Sequence, residues 1–233
     1  MHTQVKLLIL LIPTLLLSIS AAQANVILVQ TNDLGYYNNS IGNLLNLSNN
    51  GGVDNASQPF PVSNDSTASF PTAPNLSAAS SILGNWLTNP ASLNSFWSAN
   101  PISIPNGWAV GTEVAVIYQF DTLSATNVVA SFGVDNGIFA WLDGAYLFGA
   151  RGPGSFTLGE YVLNLGNFDA GTHYLQLLLE DHGVTNGYAV QITADQFTPQ
   201  PPTPTVAEPG TFILMLSGIG LLLQRKRKFT NPT

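Results

Sequence analysis

Cysteine is absent from this 233-residue chain, and basic residues are nearly absent from its middle. The lack of cysteine excludes disulfides and thiolate nucleophiles, so an exported fold must be stabilised by packing or by a bound ion. Five of the six Lys and Arg residues lie near the two ends, which leaves Arg151 and twelve Asp and Glu residues in residues 25–204. That segment carries a net charge of −11. Such a surface excludes nucleic acid as a partner, because nucleic-acid binding needs cationic contacts to phosphate.

Residues that could act as a catalytic base or nucleophile are also few. Apart from the histidine in the first segment, only His173 and His182 are available, and no Gly-x-Ser-x-Gly elbow is present. Glu180 and Asp181 are adjacent, and adjacent strand residues point to opposite faces, so they cannot flank one glycosidic bond as acid and base. A pair of Glu113 with Glu180 stays open, although no spacing favours it. The sequence therefore predicts that the protein is not an enzyme, with a polysaccharide hydrolase or lyase as the alternative.

The first 24 residues have the three parts of a secretory signal peptide. Lys6 gives a mildly positive start, and residues 7–17 are nearly all Leu and Ile. Ala22 and Ala24 flank Gln23 in the small-x-small pattern that signal peptidase cleaves. The mature chain is therefore expected to begin at residue 25.

The other end of the chain predicts a halted membrane passage. A short polar signature is formed by Val206, Ala207, Glu208, Pro209 and Gly210. The apolar run that follows, residues 212–223, is shorter than the roughly 20 residues that cross the hydrocarbon core. It ends in a basic cluster, formed by Arg225, Lys226, Arg227 and Lys228. Because such cations resist translocation, they hold this end on the cytoplasmic side and place everything before it outside.

This order of parts resembles the PEP-CTERM sorting signal of bacterial envelope proteins. Glu208 and Pro209 match the signature, and Ala207 stands where the motif usually has its first proline. In that family an exosortase, a transpeptidase-like membrane enzyme, recognises the tail and removes it. The resemblance implies export to the cell envelope or extracellular matrix of a bacterium, with the C-terminus transiently in the inner membrane. An ordinary C-terminal anchor helix is the alternative.

Composition divides the chain into five segments. These are a signal peptide (1–24), an Asn/Ser/Pro-rich N-terminal part of the domain (25–103), a β-sandwich core (104–195), a Pro/Thr linker (196–205) and the sorting signal (206–228). Within the second segment we expect a short strand at 26–29, mostly loop from 32 to 72, a short helix at 77–83 and a second helical turn at 90–97. Gly84 is the expected stop of the short helix.

From residue 104 onward the pattern changes to strands separated by turn residues. Residues 112–120 and 126–134 alternate apolar and polar, with Val128, Ala130, Phe132 and Val134 facing inward. Asn136-Gly137 and Asp143-Gly144 are both hairpin signals, because these pairs accept positive φ. Further strands are expected at 138–142, 145–149, 161–165, 173–180 and 188–193. Together they predict a mainly β fold, an antiparallel sandwich or jelly roll preceded by a short helical segment.

The run VDNGIFAWLDGAYLFGA, from 134 to 150, resembles part of a known carbohydrate-binding sandwich. This is the sandwich of bacterial toxins, glycosidases and fungal adhesins that is named after the protective-antigen N-terminal domain. Asp135, Asp143-Gly144 and Gly171-Thr172-His173 occupy the places of its acidic turn, its Asp-Gly strand end and its Gly-His strand. In its calcium-dependent adhesins two adjacent aspartates bind metal and sugar together. Here the pair is Asp135-Asn136, so one charge is lost while an amide oxygen remains.

We expect Asp135, Asn136, Glu180 and Asp181 to converge at one end of the sandwich, since the turns at 136–137 and 181–187 would each close a hairpin there. No motif requires a cofactor, and calcium is the ion that clustered oxygens of this kind suit. Exopolysaccharide is the expected ligand. A passive coat protein without a ligand is a further alternative. Four tryptophans are candidates for stacking on sugar or for the core: Trp86, Trp97, Trp108 and Trp141.

Overall fold

A computed structural model describes residues 24–47, 68–152, 155–181, 183 and 185–196. The signal peptide, the linker after residue 196 and the sorting tail lie outside these described residues. Within them, no helix has the length and apolarity needed to span a membrane. The strands are β1 (Ala24–Gln30), β2 (Leu34–Gly42), β3 (Ala68–Phe70), β4 (Ile102–Ser103), β5 (Glu113–Thr122), β6 (Ala125–Asp135), β7 (Gly137–Leu142), β8 (Ala145–Arg151), β9 (Tyr161–Phe168), β10 (Gly171–Glu180) and β11 (Gly187–Gln196).

The strands form two antiparallel sheets, which confirms the expected mainly β fold. One sheet has four strands in the order β1-β11-β6-β9, and the other has seven in the order β3-β8-β7-β10-β5-β2-β4. A 3₁₀ turn (Ser77–Ala79) runs into the short helix α1 (Ser80–Leu83), and Gly84 follows with φ 61° as the expected stop. Strands β1 and β2 from the N-terminal part are members of the sheets, since β1 pairs with β11 and β2 with β5.

The inner core lies between the two sheets and follows the predicted alternation. Val128, Ala130, Phe132 and Val134 of β6 are fully buried in it, as expected. Every second residue of the facing sheet completes it, including Val114, Val116, Tyr118, Leu175, Leu177 and Leu179. At about 25 cal/mol per Å² of buried apolar surface, such a cluster supplies the main stabilisation of a domain without disulfides.

A second core covers the outer face of the seven-stranded sheet. The outward residues of β5, β7 and β10 are apolar there: Ala115, Ile117, Phe139, Trp141 and Leu178. The segment before the sandwich supplies the cover, with Ile41, Leu47, Ala79, Leu83, Trp86 and Trp97. Trp86 packs edge-on against Trp141 with ring centroids 5.3 Å apart and stacks on Trp97 at 5.9 Å. Central strands that are covered on both faces are apolar on both faces, and these strands therefore read as almost continuous apolar runs.

Two local predictions in the N-terminal part were wrong. Residues 32–42 were expected to be mostly loop, but β2 is a nine-residue strand whose polar Asn38 is fully buried. Asn38 satisfies its amide by donating from Nδ2 to the Ile82 carbonyl oxygen and by accepting from the Ser40 N–H at Oδ1. Residues 90–97 form turns instead of a helical turn. Asn94 organises them by donating to the Ile82 carbonyl oxygen and accepting from the Phe96 N–H.

The predicted hairpin at Asn136-Gly137 was also wrong. β6 and β7 belong to different sheets, so Asn136 lies in a crossover from the four-stranded to the seven-stranded sheet. Residues 181–187 likewise cross between sheets, from β10 to β11, instead of closing a hairpin. The Asp143-Gly144 hairpin between β7 and β8 is confirmed, with φ angles of 50° and 79°. Asn-Gly and Asp-Gly are both common hairpin sequences. The two positions differ only in whether the next strand joins the same sheet, as after Asp143-Gly144, or the other sheet, as after Asn136-Gly137.

Candidate functional site

The two crossovers lie at the same end of the sandwich. β6 ends at Asp135 and β10 ends at Glu180, and the Asn136 N–H donates to the Glu180 carbonyl oxygen at 3.4 Å. Asp135 is in register with Gly187 on β11, and Glu180 with Gly137 on β7. The structure therefore places Asp135, Asn136, Glu180 and Asp181 at one end of the sandwich, and it does so through crossovers instead of the expected hairpins.

Asn136 and Asp181 both lie beside Gly183, and Asp135 accepts a hydrogen bond from Asn136; we call these four residues the crossover site. Asp135, Asn136 and Asp181 are 3%, 7% and 0% exposed, respectively, and a cis peptide bond joins Asp135 to Asn136. Asn136 Nδ2 donates to Asp135 Oδ1 at 2.8 Å, and the Gly183 N–H donates to Asp181 Oδ1 at 2.9 Å. A Cβ built on Gly183 would lie 3.4 Å from Asn136 Oδ1 and 3.8 Å from Asp181 Oδ1. Both oxygens are thus close to the position that a side chain at residue 183 would occupy.

Asn186 and Trp108 hold the crossover site in place, and sequence reasoning missed this role. Asn186 Nδ2 donates to Asp181 Oδ2 at 3.0 Å and to the Trp108 carbonyl oxygen at 2.8 Å. Asn186 Oδ1 accepts from the Trp108 N–H at 3.0 Å. Trp108 Nε1 donates to the Thr112 carbonyl oxygen at 3.2 Å, which fixes the indole. Asn186-Gly187 was a visible signal, since it is a second Asn-Gly pair beside a predicted strand.

Glu180 is at this end of the sandwich, but its side chain belongs to the outer face with Glu113. The two glutamates are directly opposite each other on β10 and β5, and both are fully buried. Glu113 Oε1 accepts from the Leu47 N–H at 3.0 Å, and Glu113 Oε2 has no hydrogen-bond partner among the described residues. Burial raises the pKa of Glu113 to about 7, the Leu47 hydrogen bond lowers it, and the neighbouring charge of Glu180 raises it. One of the four predicted site residues therefore faces away from the other three.

Asp143 and His173, the other residues of the protective-antigen resemblance, pair at the opposite end of β7 and β10. His173 Nδ1 is 2.8 Å from Asp143 Oδ2, and the Tyr174 N–H donates to Asp143 Oδ1. Burial lowers the pKa of His173, but the hydrogen bonds and charges of Asp143 and Asp169 outweigh it and leave the pKa raised. This pair ties the Asp143-Gly144 turn to the start of β10 and has a structural role.

The crossover site has the chemistry of a hard-cation site more than that of a catalytic site. Asp135 and Asp181 supply carboxylates and Asn136 an amide oxygen, which are donors that calcium accepts. Among the described residues no group of three or more His, Cys, Asp or Glu side chains is placed to hold a metal ion. An ion at this site would therefore depend on neutral oxygens as well as on the two carboxylates. His182 lies outside the described residues.

The tryptophans are mostly core residues. Trp86, Trp97 and Trp141 are 2%, 4% and 2% exposed, and Trp97 Nε1 donates to the Leu83 carbonyl oxygen at 3.1 Å. Trp108 is half-buried against the inner core and contacts Tyr188 with ring centroids 6.5 Å apart. Of the four candidates for a stacking platform, three are thus closed off from a ligand by packing.

No protein-family model matches the chain, and no curated protein matches it. Among solved structures it is similar to the PA14 domain of the MpAFP antifreeze protein. The identity is 14%, the match covers 78% of this chain and 88% of that chain, and the TM-score is 0.27. PA14 is the protective-antigen type of domain that residues 134–150 resemble in sequence. A similarity at this level does not assign the chain to a family.

Proposed function

We propose that this chain is a non-catalytic exported protein of the bacterial envelope or extracellular matrix, and that it binds exopolysaccharide through a calcium ion at the crossover site. The observation that carries the proposal is that Asn136 and Asp181 both lie beside Gly183 and that Asp135 is hydrogen-bonded to Asn136. The tail from residue 206 to 228 supports the location, because its three parts resemble an exosortase sorting signal.

Calcium fits the residues of the crossover site better than other biological metals do. All the side chains that could bind it offer oxygen, which hard cations such as calcium prefer, and the chain has no cysteine. A buried carboxylate is costly to keep ionised, and a divalent cation beside it offsets that cost. A calcium ion held by protein on one side has further coordination positions that sugar hydroxyls can fill, since it accepts six to eight oxygen ligands.

The alternative of a hydrolase or lyase is disfavoured by where the glutamates lie. Glu113 and Glu180 are the pair that sequence reasoning left open, and both are fully buried under the outer core. A catalytic acid and base must reach the glycosidic oxygen and the anomeric carbon of the substrate. A passive coat protein remains the alternative against which ligand binding is tested.

The first prediction concerns calcium at the crossover site. Calcium at a hundredfold excess over its dissociation constant is expected to stabilise the purified full chain by about 2.7 kcal/mol, because it binds only the folded state. Asp135→Ala is expected to abolish this shift in melting temperature, and the binding of exopolysaccharide to immobilised protein should fall with it. The matched control is Asp169→Ala, an exposed aspartate beside the start of β10, which should respond to calcium as the wild type does.

The outcomes separate the proposals. If the wild type has the same melting temperature in calcium and in chelator, there is no ion site, and the passive coat becomes the better explanation. Polysaccharide binding that persists in chelator would separate ligand binding from calcium. Release of reducing ends from the polymer would instead support the hydrolase alternative.

The second prediction concerns processing. In a bacterium that has an exosortase, intact-mass analysis of the envelope and secreted fractions should find a species that lacks residues 1–24 and is cut near Glu208-Pro209. Glu208→Ala should leave the tail on the protein, whereas Thr230→Ala beyond the basic cluster should not affect cleavage. A mature product that retains Arg225–Lys228 in the wild type would contradict sorting without contradicting export.

A further inference from the structure

A cavity lies at the edge of the outer core, on a different part of the fold from the crossover site. Its volume is about 580 Å³, within the range of roughly 300–1,000 Å³ that is typical of small-molecule sites. One wall is β2, through Tyr36, and the other wall is the turn segment 90–99. Tyr36 is in register with Ile117 on β5, whereas the crossover site lies beyond the far end of that strand, past Glu113.

The cavity is built from uncharged groups of two kinds. Tyr36 and Leu93 provide aromatic and apolar surface, and Ser92 and Ser95 provide hydroxyl groups, while Trp97 lies buried behind them. Among the described residues that line the cavity none carries a charge, which argues against recognition of phosphate, sulfate or carboxylate groups by ion pairing. A purely apolar ligand would leave the polar lining without partners when water is displaced. A neutral sugar ring has an apolar face and hydroxyl groups, and it matches both kinds of surface.

The walls of the cavity are fixed by hydrogen bonds to neighbouring elements. Asn94 Nδ2 donates to the Ile82 carbonyl oxygen at 3.1 Å, which ties the turn segment to α1. The Ser98 N–H donates to the Tyr37 carbonyl oxygen at 2.9 Å, and Ser98 Oγ accepts from the Tyr37 N–H at 3.1 Å. Trp97 is clamped by its stacking on Trp86. Such a preorganised site loses little conformational entropy when a ligand binds.

One aromatic side chain beside the cavity remains exposed. Phe96 lies between Ser95 and Trp97 in the chain and is 46% exposed, although the other aromatic residues of this segment are buried or half-buried. An exposed aromatic face next to a polar cavity can stack on the neighbouring sugar of a chain, and aromatic contacts of this kind carry much of the affinity at ligand sites.

We propose that the cavity between Tyr36 and residues 90–99 binds a neutral sugar unit of a polysaccharide without any metal ion. This extends the proposed function to a second, independent site. Two sites on one domain would engage the same polymer at two points, and the second contact then benefits from a high effective concentration.

The test is binding of the full chain to a panel of neutral oligosaccharides, namely dextran, glucomannan and galactan fragments, in the presence of chelator. We expect saturable binding to at least one of them, and a loss of at least tenfold in affinity for Ser95→Lys, whose long side chain would occupy the cavity. Ser95 is exposed, so the substitution leaves the core intact. The matched control is Ser103→Lys on β4, also an exposed serine, which should bind as the wild type does.

Two results would overturn the inference. They are an absence of binding to every neutral oligosaccharide in chelator, and equal losses for Ser95→Lys and Ser103→Lys. Phe96→Ala, at an exposed position, is a second variant that should weaken binding to oligosaccharides more than to single sugars. Failure of the calcium site would appear as a wild-type melting temperature that is the same in calcium and in chelator, and this result would leave the cavity unaffected.

Discussion

Glu113→Gln should raise the free energy of unfolding at pH 8 by up to about 3 kcal/mol, because each unit of pKa shift corresponds to about 1.4 kcal/mol. The native carboxylate is fully buried opposite Glu180, and burial raises its pKa from 4.5 to about 7. Glutamine keeps an oxygen for the Leu47 N–H, and it carries no charge. The variant therefore removes the cost of burying a second carboxylate and keeps the contact that holds the segment at Leu47.

The sign of the pH dependence follows from proton binding. Between pH 4.5 and 7 the folded protein holds a proton on Glu113 that the unfolded chain has released, so the stability of the wild type falls as pH rises through this window. The free energy of unfolding of Glu113→Gln should not show this decrease with rising pH, and the two proteins should become equally stable near pH 4.5. Urea unfolding at half-unit intervals from pH 4.5 to 8 measures the difference.

A matched control separates this effect from a general change in charge. Asp121→Asn removes an exposed carboxylate from the same strand and keeps an oxygen that can accept from Thr172 Oγ1. Its stability difference from the wild type should stay the same across the pH range. If Glu113→Gln is also more stable than the wild type by the same free energy at every pH, then Glu113 is ionised throughout this range. That result would contradict the raised pKa of Glu113.

The strands of the inner core could be predicted because their pattern has a single cause. One face of β6 meets the opposite sheet and the other is more open, so alternate residues such as Ala130 and Phe132 are apolar. β2 was missed because its polar residues satisfy themselves through contacts distant in sequence. The buried Asn38 donates to Ile82, which lies 44 residues further along the chain. No local pattern contains that information.

The composition of the crossover site could be predicted in part, and its topology could not. Asp135, Asn136, Glu180 and Asp181 were expected at one end of the sandwich from the turns that follow their strands, and the structure places Asn136 beside Asp135 and, across Gly183, near Asp181. Asn136-Gly137 and Asp143-Gly144 are both favourable for tight turns, yet the first leads to another sheet and the second to a hairpin. The difference depends on which sheet offers an edge to the next strand. That is a property of the whole fold. The direction of Glu180, in contrast, follows from strand alternation, which puts it on the same face of β10 as Leu178.

The outer core is expected to depend on Gly144, where the β7–β8 turn meets the covering segment. A Cβ at Gly144 would overlap the carbonyl oxygen of Leu87, and the φ of 79° is itself unfavourable for a side chain. The Gly144 N–H donates to Gln176 Oε1, and Gln176 Nε2 donates to the Trp86 carbonyl oxygen. The turn, β10 and the covering segment are therefore tied together at one point.

Gly144→Ala should therefore destabilise the protein by about 3–5 kcal/mol, since it adds a backbone overlap to a left-handed strain of roughly 1–2 kcal/mol. Gly166→Ala is the matched control, because its φ is 80° and a Cβ there meets nothing within 4 Å. Gly166→Ala should be destabilised only by the left-handed strain of roughly 1–2 kcal/mol. Urea unfolding of both variants gives the difference, and near-ultraviolet circular dichroism reports whether the Trp86, Trp97 and Trp141 packing changes in Gly144→Ala alone. Equal losses for the two variants would mean that Leu87 shifts at no cost, and the covering segment would then be an independent layer that the β7–β8 turn does not hold in place.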